Sequence, residues 1–334
     1  MKRHGKGQRA KKGTIVTFAA TAQELLPASE RESLAAWFGL YLTVEERPGS
    51  NTFQAKNRDL QAFLDYFKQV SRSSNPDHWT PSVTKGFQKD LGRGDKRKKP
   101  STINRTLATL RHAARWIGRQ RPFLAGDPCK GVADLRMDEP SWKGLTDMEV
   151  IRLRSAGEQL LRLKTGKHQQ ALRDYALFLV LLQTALRVSE LLGLDRDQYQ
   201  GKHFREVQRK GNKVSSQVFL PKEARDALDA YLGQAQGRKA GPLFVSRSGE
   251  RLQRQNVDDA LKALANQANA QLAKKDPRIH LSAHILRHTM LRKVAVQSGV
   301  QHAMEAAGHT SSNYIWRYIK PSDEEKEKAL EDLF

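Results

Sequence analysis

Residues 175–192 read Tyr-Ala-Leu-Phe-Leu-Val-Leu-Leu-Gln-Thr-Ala-Leu-Arg-Val-Ser-Glu-Leu-Leu and open with the longest uncharged apolar run of the chain. That run, residues 175–186, is much shorter than the roughly 20 residues of a membrane-spanning helix, so it predicts a buried helix and excludes a membrane protein. Arg187 follows at once. Because an unpaired buried charge is costly, Arg187 needs a reason to be there. Glu190 could orient it toward a ligand or form a simple ion pair with it.

A second unusual cluster is His284-Ile285-Leu286-Arg287-His288. Two histidines four residues apart could bind zinc, but the metalloprotease pattern requires glutamate directly after the first histidine, and Ile285 stands there. No third ligand follows at a metal-site spacing, so we expect no metal. An arginine one turn after a histidine indicates an anion site with a proton-transfer group.

Two more segments carry polar residues that could be structural or functional. Short strands are predicted near residues 203–208 and 214–220, and the turn between them contains Lys210 and Gly211. Further on, Gly308 and His309 precede Tyr318, which lies nine residues after that histidine. Taken singly, each of these residues is more often structural than catalytic.

The first half of the chain predicts a helical and basic domain. Helices are expected over residues 33–42, 52–70 and 81–91, and Ser101 is expected to cap a fourth helix. Residues 96–125 contain nine Lys or Arg and no acid, which favours contact with a DNA backbone over a merely solvated face. The residues expected to make that contact are Lys96, Arg97, Lys98, Lys99, Arg105, Arg111, Arg115 and Arg119.

Composition supports a partner with negative charge. The 334 residues carry a formal net charge of +22. Residues 1–140 hold 26 basic and 14 acidic side chains, and the remainder hold 32 and 22, so both halves are basic. Such a chain could grip a polyanion from two sides, although charge can also serve solubility alone. The single cysteine, Cys129, excludes a disulfide scaffold and fits a reducing compartment.

Together these residues resemble the tyrosine recombinase (phage integrase) family. The matching order is Arg187, Lys210, His284, Arg287, His309 and Tyr318. Their contexts match as well, as Leu-Arg-x-Ser-Glu, Lys-Gly-Asn-Lys and His-x-x-Arg-His. The first domain resembles the family more loosely, through residues 101–105 and Asp127-Pro128. Ala307 and Asp127 depart from the usual leucine and asparagine, at positions of packing or turning.

The resemblance implies a mainly α fold with a small β-hairpin in the catalytic domain, arranged as a two-domain clamp on DNA. We expect a basic tail over residues 1–24, a helical core-binding domain over 25–131, a linker over 132–141 and a catalytic domain over 142–320. Thr146 and Glu149 form a predicted capping box at the start of the catalytic domain. Residues 321–334 are expected to form a helix that packs on its own domain or docks on a neighbouring subunit.

The resemblance also implies the chemistry. Tyr318 would attack the scissile phosphate and form a 3′-phosphotyrosyl bond, with His284 as base and Lys210 as acid for the 5′-oxygen. Arg187, Arg287 and His309 would stabilise the charge on the phosphate, with Glu190 and His288 in support. Two guanidinium groups can do electrostatic work that metals do elsewhere, so we expect no metal and no other cofactor.

The partners implied by the resemblance are duplex DNA with specific recombination sites and three further copies of the chain. Strand exchange would then pass through a Holliday junction, with possible accessory DNA-bending or directionality proteins, in the cytoplasm at the nucleoid. Two alternatives stay open. One is a type IB topoisomerase-like enzyme that relaxes supercoils as a monomer, and the other is a non-catalytic DNA-binding protein on the same scaffold.

Overall fold

The helices and the hairpin of the protein fall into two units, residues 1–139 and 140–334. A computed structural model describes residues 26–95, 97–137, 144–163, 168–211, 213–234 and 240–308, with residues 327, 330 and 331. The division between the units lies inside residues 132–141, the predicted linker. None of the described helices combines the length and the apolar composition that crossing a bilayer demands.

The described part of the first unit has four helices around an aromatic core. They are α1 Leu34–Glu45, α2 Asn51–Ser71, α3 Pro81–Leu91 and α4 Pro100–Gln120. Phe63 lies at the centre of the core, with its ring centroid 5.0 Å from that of Trp79 and 5.2 Å from that of Phe87. The first three helices confirm the predicted ones, because their ends differ from the predicted ends by at most three residues.

The predicted cap of the fourth helix is wrong. Helix α4 begins at Pro100, its N-cap residue is Lys99, and no side chain caps it. Proline suits the first helical position because its fixed φ matches the helix and its missing N–H would have no partner there. Ser101 therefore lies inside the helix, on an exposed face.

Residues 132–137, the described part of the predicted linker, pack against the first unit. The Asn104 side chain donates to the Leu135 carbonyl and accepts from the Leu135 amide, each at 2.8 Å. Gln88 Nε2 donates to the Ala133 carbonyl, also at 2.8 Å. Helices α3 and α4 therefore supply hydrogen-bond partners for the backbone of this part of the predicted linker.

The described part of the second unit has seven helices and a hairpin. The helices are α5 Asp147–Leu163, α6 His168–Thr184, α7 Val188–Leu192, α8 Lys222–Gln234, α9 Arg254–Ala270, α10 Ala283–Ser298 and α11 Val300–Ala307. The centre of the core is α6, whose residues 176–181 are at most 1% exposed. The predicted capping box is confirmed, since the Thr146 amide donates to Glu149 Oε2 at 2.7 Å and the Glu149 amide donates to Thr146 Oγ1 at 3.3 Å.

The two predicted strands form an antiparallel hairpin. Strand β1 spans His203–Arg209 and strand β2 spans Lys213–Phe219, with Arg209 paired to Lys213 next to the turn. Gly211 in the turn has a φ of +83°, which glycine adopts at little cost. Phe204 and Val207 point into the core and are fully buried, which fixes the register of the hairpin.

Candidate active site

A strained turn between α6 and α7 presents Arg187. Ala185 in this turn is fully buried and has a φ of +53°, a left-handed conformation that costs energy for a residue with a Cβ. Thr184 holds the turn, because its Oγ1 donates to the Val180 carbonyl at 2.6 Å and accepts from the Leu186 amide at 3.4 Å. Arg187 is the N-cap residue of α7.

Glu190 is the partner of Arg187. Its Oε1 accepts from Arg187 Nη1 at 2.6 Å, and its Oε2 accepts from the Arg187 amide at 2.9 Å. The Glu190 side chain is 3% exposed and that of Arg187 is 29% exposed. The pair therefore exists, and the arginine it holds still reaches the surface.

Arg209, at the end of β1, was missed by the sequence reasoning. Its Nη1 donates to Glu190 Oε2 at 2.9 Å, and its Nε donates to Ser215 Oγ at 2.9 Å. Its side chain is 3% exposed. The signal was available, because alternation along β1 from buried Val207 puts position 209 on the inner face.

The two arginines keep Glu190 ionised. Burial opposes the charge of this carboxylate, but the amide and guanidinium of Arg187 and the charge of Arg209 outweigh it. The pKa of Glu190 therefore lies below its usual value. The Glu190 carboxylate is therefore a negatively charged partner of two positive side chains and not a proton donor.

Arg287 joins three elements from its place on α10. Its side chain is almost fully buried, and it donates through Nη1 to the Ala185 carbonyl and through Nη2 to the Ala307 carbonyl, the latter at 2.7 Å. It thus ties the strained turn before Arg187 to the last residue of α11. Gly308, directly after α11, has a φ of +63°.

The two histidines of α10 lie beside one another. The rings of His284 and His288 meet edge to face, with centroids 4.4 Å apart. His284 is exposed and His288 is half-buried. In the described parts of the chain, no group of three or more His, Cys, Asp or Glu side chains could hold a metal ion.

The structure brings part of the predicted site together. Hydrogen bonds link Arg187 to Glu190 and link Arg287 to the turn before Arg187. Lys210 is exposed and follows Arg209 at the tip of the hairpin. His309 and Tyr318 lie outside the described residues.

Comparison with known sequences decides the family. The profile of the phage integrase family matches residues 152–325, and that of the phage integrase N-terminal SAM-like domain matches residues 36–121. The chain belongs to the phage integrase family. The members of this family, the tyrosine recombinases, are enzymes that cleave and rejoin DNA. Both units of this integrase-family chain carry a match, as the resemblance implied.

Named relatives agree with this membership. The tyrosine recombinase XerC of Neisseria meningitidis serogroup B is 29% identical over 295 residues, which cover 86% of this chain and 92% of that protein. The tyrosine recombinase XerD of Oceanobacillus iheyensis is 27% identical over 256 residues, which cover 75% and 80%.

Solved structures share the fold. The Tn1549 transposon integrase in complex with transposon right end DNA superposes with a TM-score of 0.68 at 16% identity, over 90% of this chain and 99% of that one. XerH bound to palindromic difH substrate gives a TM-score of 0.68 at 16% identity, over 84% and 79%. The predicted mainly α fold with a small hairpin is confirmed.

The predicted DNA-contacting residues of this integrase-family chain fall into two groups. Arg97, Lys98, Lys99, Arg115 and Arg119 are exposed. Arg105, whose side chain is 50% exposed, forms a bidentate pair with buried Asp59, and Arg111 donates to Asp134 Oδ1 and to the Val132 carbonyl, each at 2.8 Å. Lys96 lies outside the described residues.

Proposed function

We propose that this chain is a site-specific recombinase that cuts and rejoins duplex DNA through a covalent bond between Tyr318 and a 3′-phosphate. The observation that carries the proposal is the arginine cluster of the second unit, in which a buried carboxylate orients Arg187 and two backbone carbonyls fix Arg287. Fixed guanidinium groups are suited to a phosphate whose charge grows in the transition state.

In the proposed cleavage step, the Tyr318 oxygen bonds to phosphorus while the bond from phosphorus to the 5′-oxygen breaks. His284 takes the proton of the phenol, and Lys210 gives a proton to the departing 5′-oxygen. Arg187 and Arg287 stabilise the non-bridging oxygens, and His309 adds a hydrogen bond to the transition state. His288 supports His284, and its ring contact on α10 favours that role.

The reverse step would rejoin DNA without ATP, since the phosphotyrosyl bond conserves the energy of the phosphodiester. Attack by a 5′-hydroxyl from a second site would then exchange strands through a Holliday junction. This sequence of steps requires two sites and four protomers, which we propose assemble on DNA at the nucleoid, with or without accessory DNA-bending proteins.

The C-terminal segment, residues 321–334, is the proposed contact between protomers. Leu330 is 63% exposed in the single chain, which favours docking on a neighbour over packing on its own domain. Deleting residues 328–334 should leave half-site binding intact and abolish cooperative filling of a full site in gel shifts. Normal cooperativity with a lowered melting temperature would instead assign the segment to its own domain.

The exposed basic residues of the first unit are the proposed DNA-backbone contacts. Neutralising Arg115 and Arg119 together should reduce the slope of log K against log salt by about two, because each phosphate contact releases roughly one counterion. Arg105→Gln is a matched control on the same helix. Because Asp59 already neutralises part of the charge of Arg105, whose side chain is half exposed, the loss of Arg105 should lower stability and change the salt slope by less than about one.

The test of the proposed function is covalent trapping. The full chain is mixed with fragmented genomic DNA carrying single nicks, denatured in SDS, and the protein-linked strands are sequenced. Tyr314 is a second tyrosine near Tyr318, but only Tyr318 lies nine residues after His309. Wild type and Tyr314→Phe should therefore give denaturant-resistant adducts at a shared sequence, and Tyr318→Phe should give none while binding DNA normally. Adducts formed by Tyr318→Phe would overturn the assignment. Relaxation of supercoils with no exchange between two trapped sites would indicate a topoisomerase instead.

A further inference from the structure

Arg209 touches three parts of the second unit. Its guanidinium bonds to Glu190 and to Ser215, as described above. The stem of its side chain lies against Gly308. A Cβ placed on that glycine would be 3.3 Å from Arg209 Nε and 3.4 Å from Arg209 Cδ. One buried side chain therefore meets α7, β2 and the end of α11.

Each contact lies next to a residue of the proposed chemistry. Glu190 is the carboxylate that holds Arg187. Arg209 itself directly precedes Lys210, and Gly308 directly precedes His309. Arg287 contacts the same end of α11, because it bonds to the carbonyl of Ala307, the residue before Gly308.

From this geometry we infer that Arg209 is a positioning residue, which sets Lys210 relative to Arg187. The inference rests on the proposed function and extends it to a residue that touches no reacting atom. Arg209 would act by fixing the end of β1 to Glu190 and Ser215, so that the long Lys210 side chain starts from a fixed point.

Arginine is suited to this position for a geometric reason. Its planar group presents Nη1 and Nε along different directions, so one side chain can bond to a carboxylate and to a hydroxyl. Ser215 lies diagonally across the hairpin from Arg209, two residues from Lys213 in the register. Lysine could reach Glu190 but could not make both bonds in this plane.

The experiment compares cleavage of two DNA substrates of the trapped sequence. One has the ordinary scissile phosphate and the other has sulfur in place of the bridging 5′-oxygen, a leaving group that needs no proton. We measure single-turnover rates of adduct formation at saturating protein for wild type, Arg209→Gln and Arg209→Lys. Arg205→Gln is the matched control, since Arg205 lies on the same strand but is exposed.

Arg209→Gln should slow cleavage of ordinary DNA by about 100-fold, the typical cost of an ångström-scale misplacement. On the sulfur substrate, the rate defect of Arg209→Gln relative to wild type should be at least about tenfold smaller, because the sulfur leaving group does not need a proton from Lys210. Arg209→Lys should fall between Arg209→Gln and wild type, and Arg205→Gln should match wild type on both substrates. DNA binding should change less than about twofold in every variant, since Arg209 is buried.

Equal losses on the two substrates, or an Arg209→Gln rate within about threefold of wild type, would overturn the inference. Should Arg209→Gln not fold, Ser215→Ala provides a milder perturbation, because it removes only the partner of Arg209 Nε. It should give a smaller defect that sulfur also restores, and a defect that sulfur does not restore would overturn the inference. Wild type that forms no adduct on either substrate would instead refute the proposed function.

Discussion

Replacing Glu190 by glutamine keeps the shape of the side chain and removes its charge. In the native protein, both carboxylate oxygens accept hydrogen bonds, one from Arg187 Nη1 at 2.6 Å and the other from the Arg187 amide and Arg209 Nη1 at 2.9 Å each. A glutamine can turn its oxygen toward only one of these sides. Its amide N–H groups then face donors on the other side.

The expected loss of stability follows from the burial of this ion pair. The Arg209 side chain is 3% exposed, so solvent cannot replace the lost countercharge. Breaking a buried pair by neutralising one partner costs about 3 to 5 kcal/mol, and the partial exposure of Arg187 places the expected loss near about 3 kcal/mol. Glu250→Gln, at an exposed position in the same unit, should cost less than about 0.5 kcal/mol.

The assay is urea unfolding followed by circular dichroism, with hydrogen exchange measured over residues 171–194 to isolate the second unit. Because the pKa of Glu190 is depressed, its contribution to stability is full above the ordinary carboxyl value of 4.5 and is lost as pH falls through the folded pKa. The difference in unfolding free energy between wild type and Glu190→Gln should therefore become smaller in acid. A difference below about 1 kcal/mol at neutral pH, or one that does not change with acid, would contradict this prediction.

Three further predictions follow from described contacts. Arg287→Lys should slow adduct formation by about 100-fold or more, since the single nitrogen of lysine cannot reproduce the two separate guanidinium nitrogens that bond to the two carbonyls, and full activity would contradict this. Burial, aided by the charge of Asp127, raises the pKa of Cys129 to about 12, so iodoacetamide at pH 8 should label the protein only after unfolding; stoichiometric labelling of the folded chain would count against it. Asp59→Ala should lower the stability of the first unit by about 2 kcal/mol in tryptophan-monitored urea melts, because Arg105 and two threonine hydroxyls lose their acceptor, and an unchanged midpoint would contradict that role.

The spacing of apolar residues and the turn residues were sufficient to predict the described α-helices of the first unit and both strands. The apolar spacing along residues 52–70 gave α2, and the turn at Lys210 and Gly211 separated two strands whose ends differ from the predicted ends by one residue. These signals are local, because they depend on which side of a helix or strand faces the core. The family resemblance covered both units, and the family profiles match both.

Two local features were not visible in the sequence pattern. Ser101 is typical of a helix cap, but the neighbouring Pro100 begins the helix and Lys99 is its N-cap residue. Residues 132–137 are polar as in a linker, and the pattern did not show that Asn104 and Gln88 bind their backbone from α4 and α3. A polar sequence does not reveal such partners, because they lie about 30 to 45 residues away along the chain.

The candidate site also contains residues that the sequence revealed and one that it did not. The order and local context of the polar residues pointed to Arg187, Glu190 and Arg287. In the structure, hydrogen bonds link Arg187 to Glu190 and Arg287 to the turn before Arg187. Arg209 carries no motif that stands out beside Lys210, and only its inward position on β1 could have drawn attention to it. The ion pair between Arg105 and Asp59 was likewise not visible in the sequence, because Asp59 lies on a different helix.

The most direct test of the central claim is to identify the residue that carries DNA. The trapped adduct is digested with nuclease and trypsin, and the modified peptide is sequenced by mass spectrometry. Trypsin cuts after Arg317 and so separates Tyr314 from Tyr318. We expect a 3′-linked nucleotide on the peptide that begins with Tyr318. A nucleotide on the peptide that contains Tyr314, or a 5′-linkage, would contradict it.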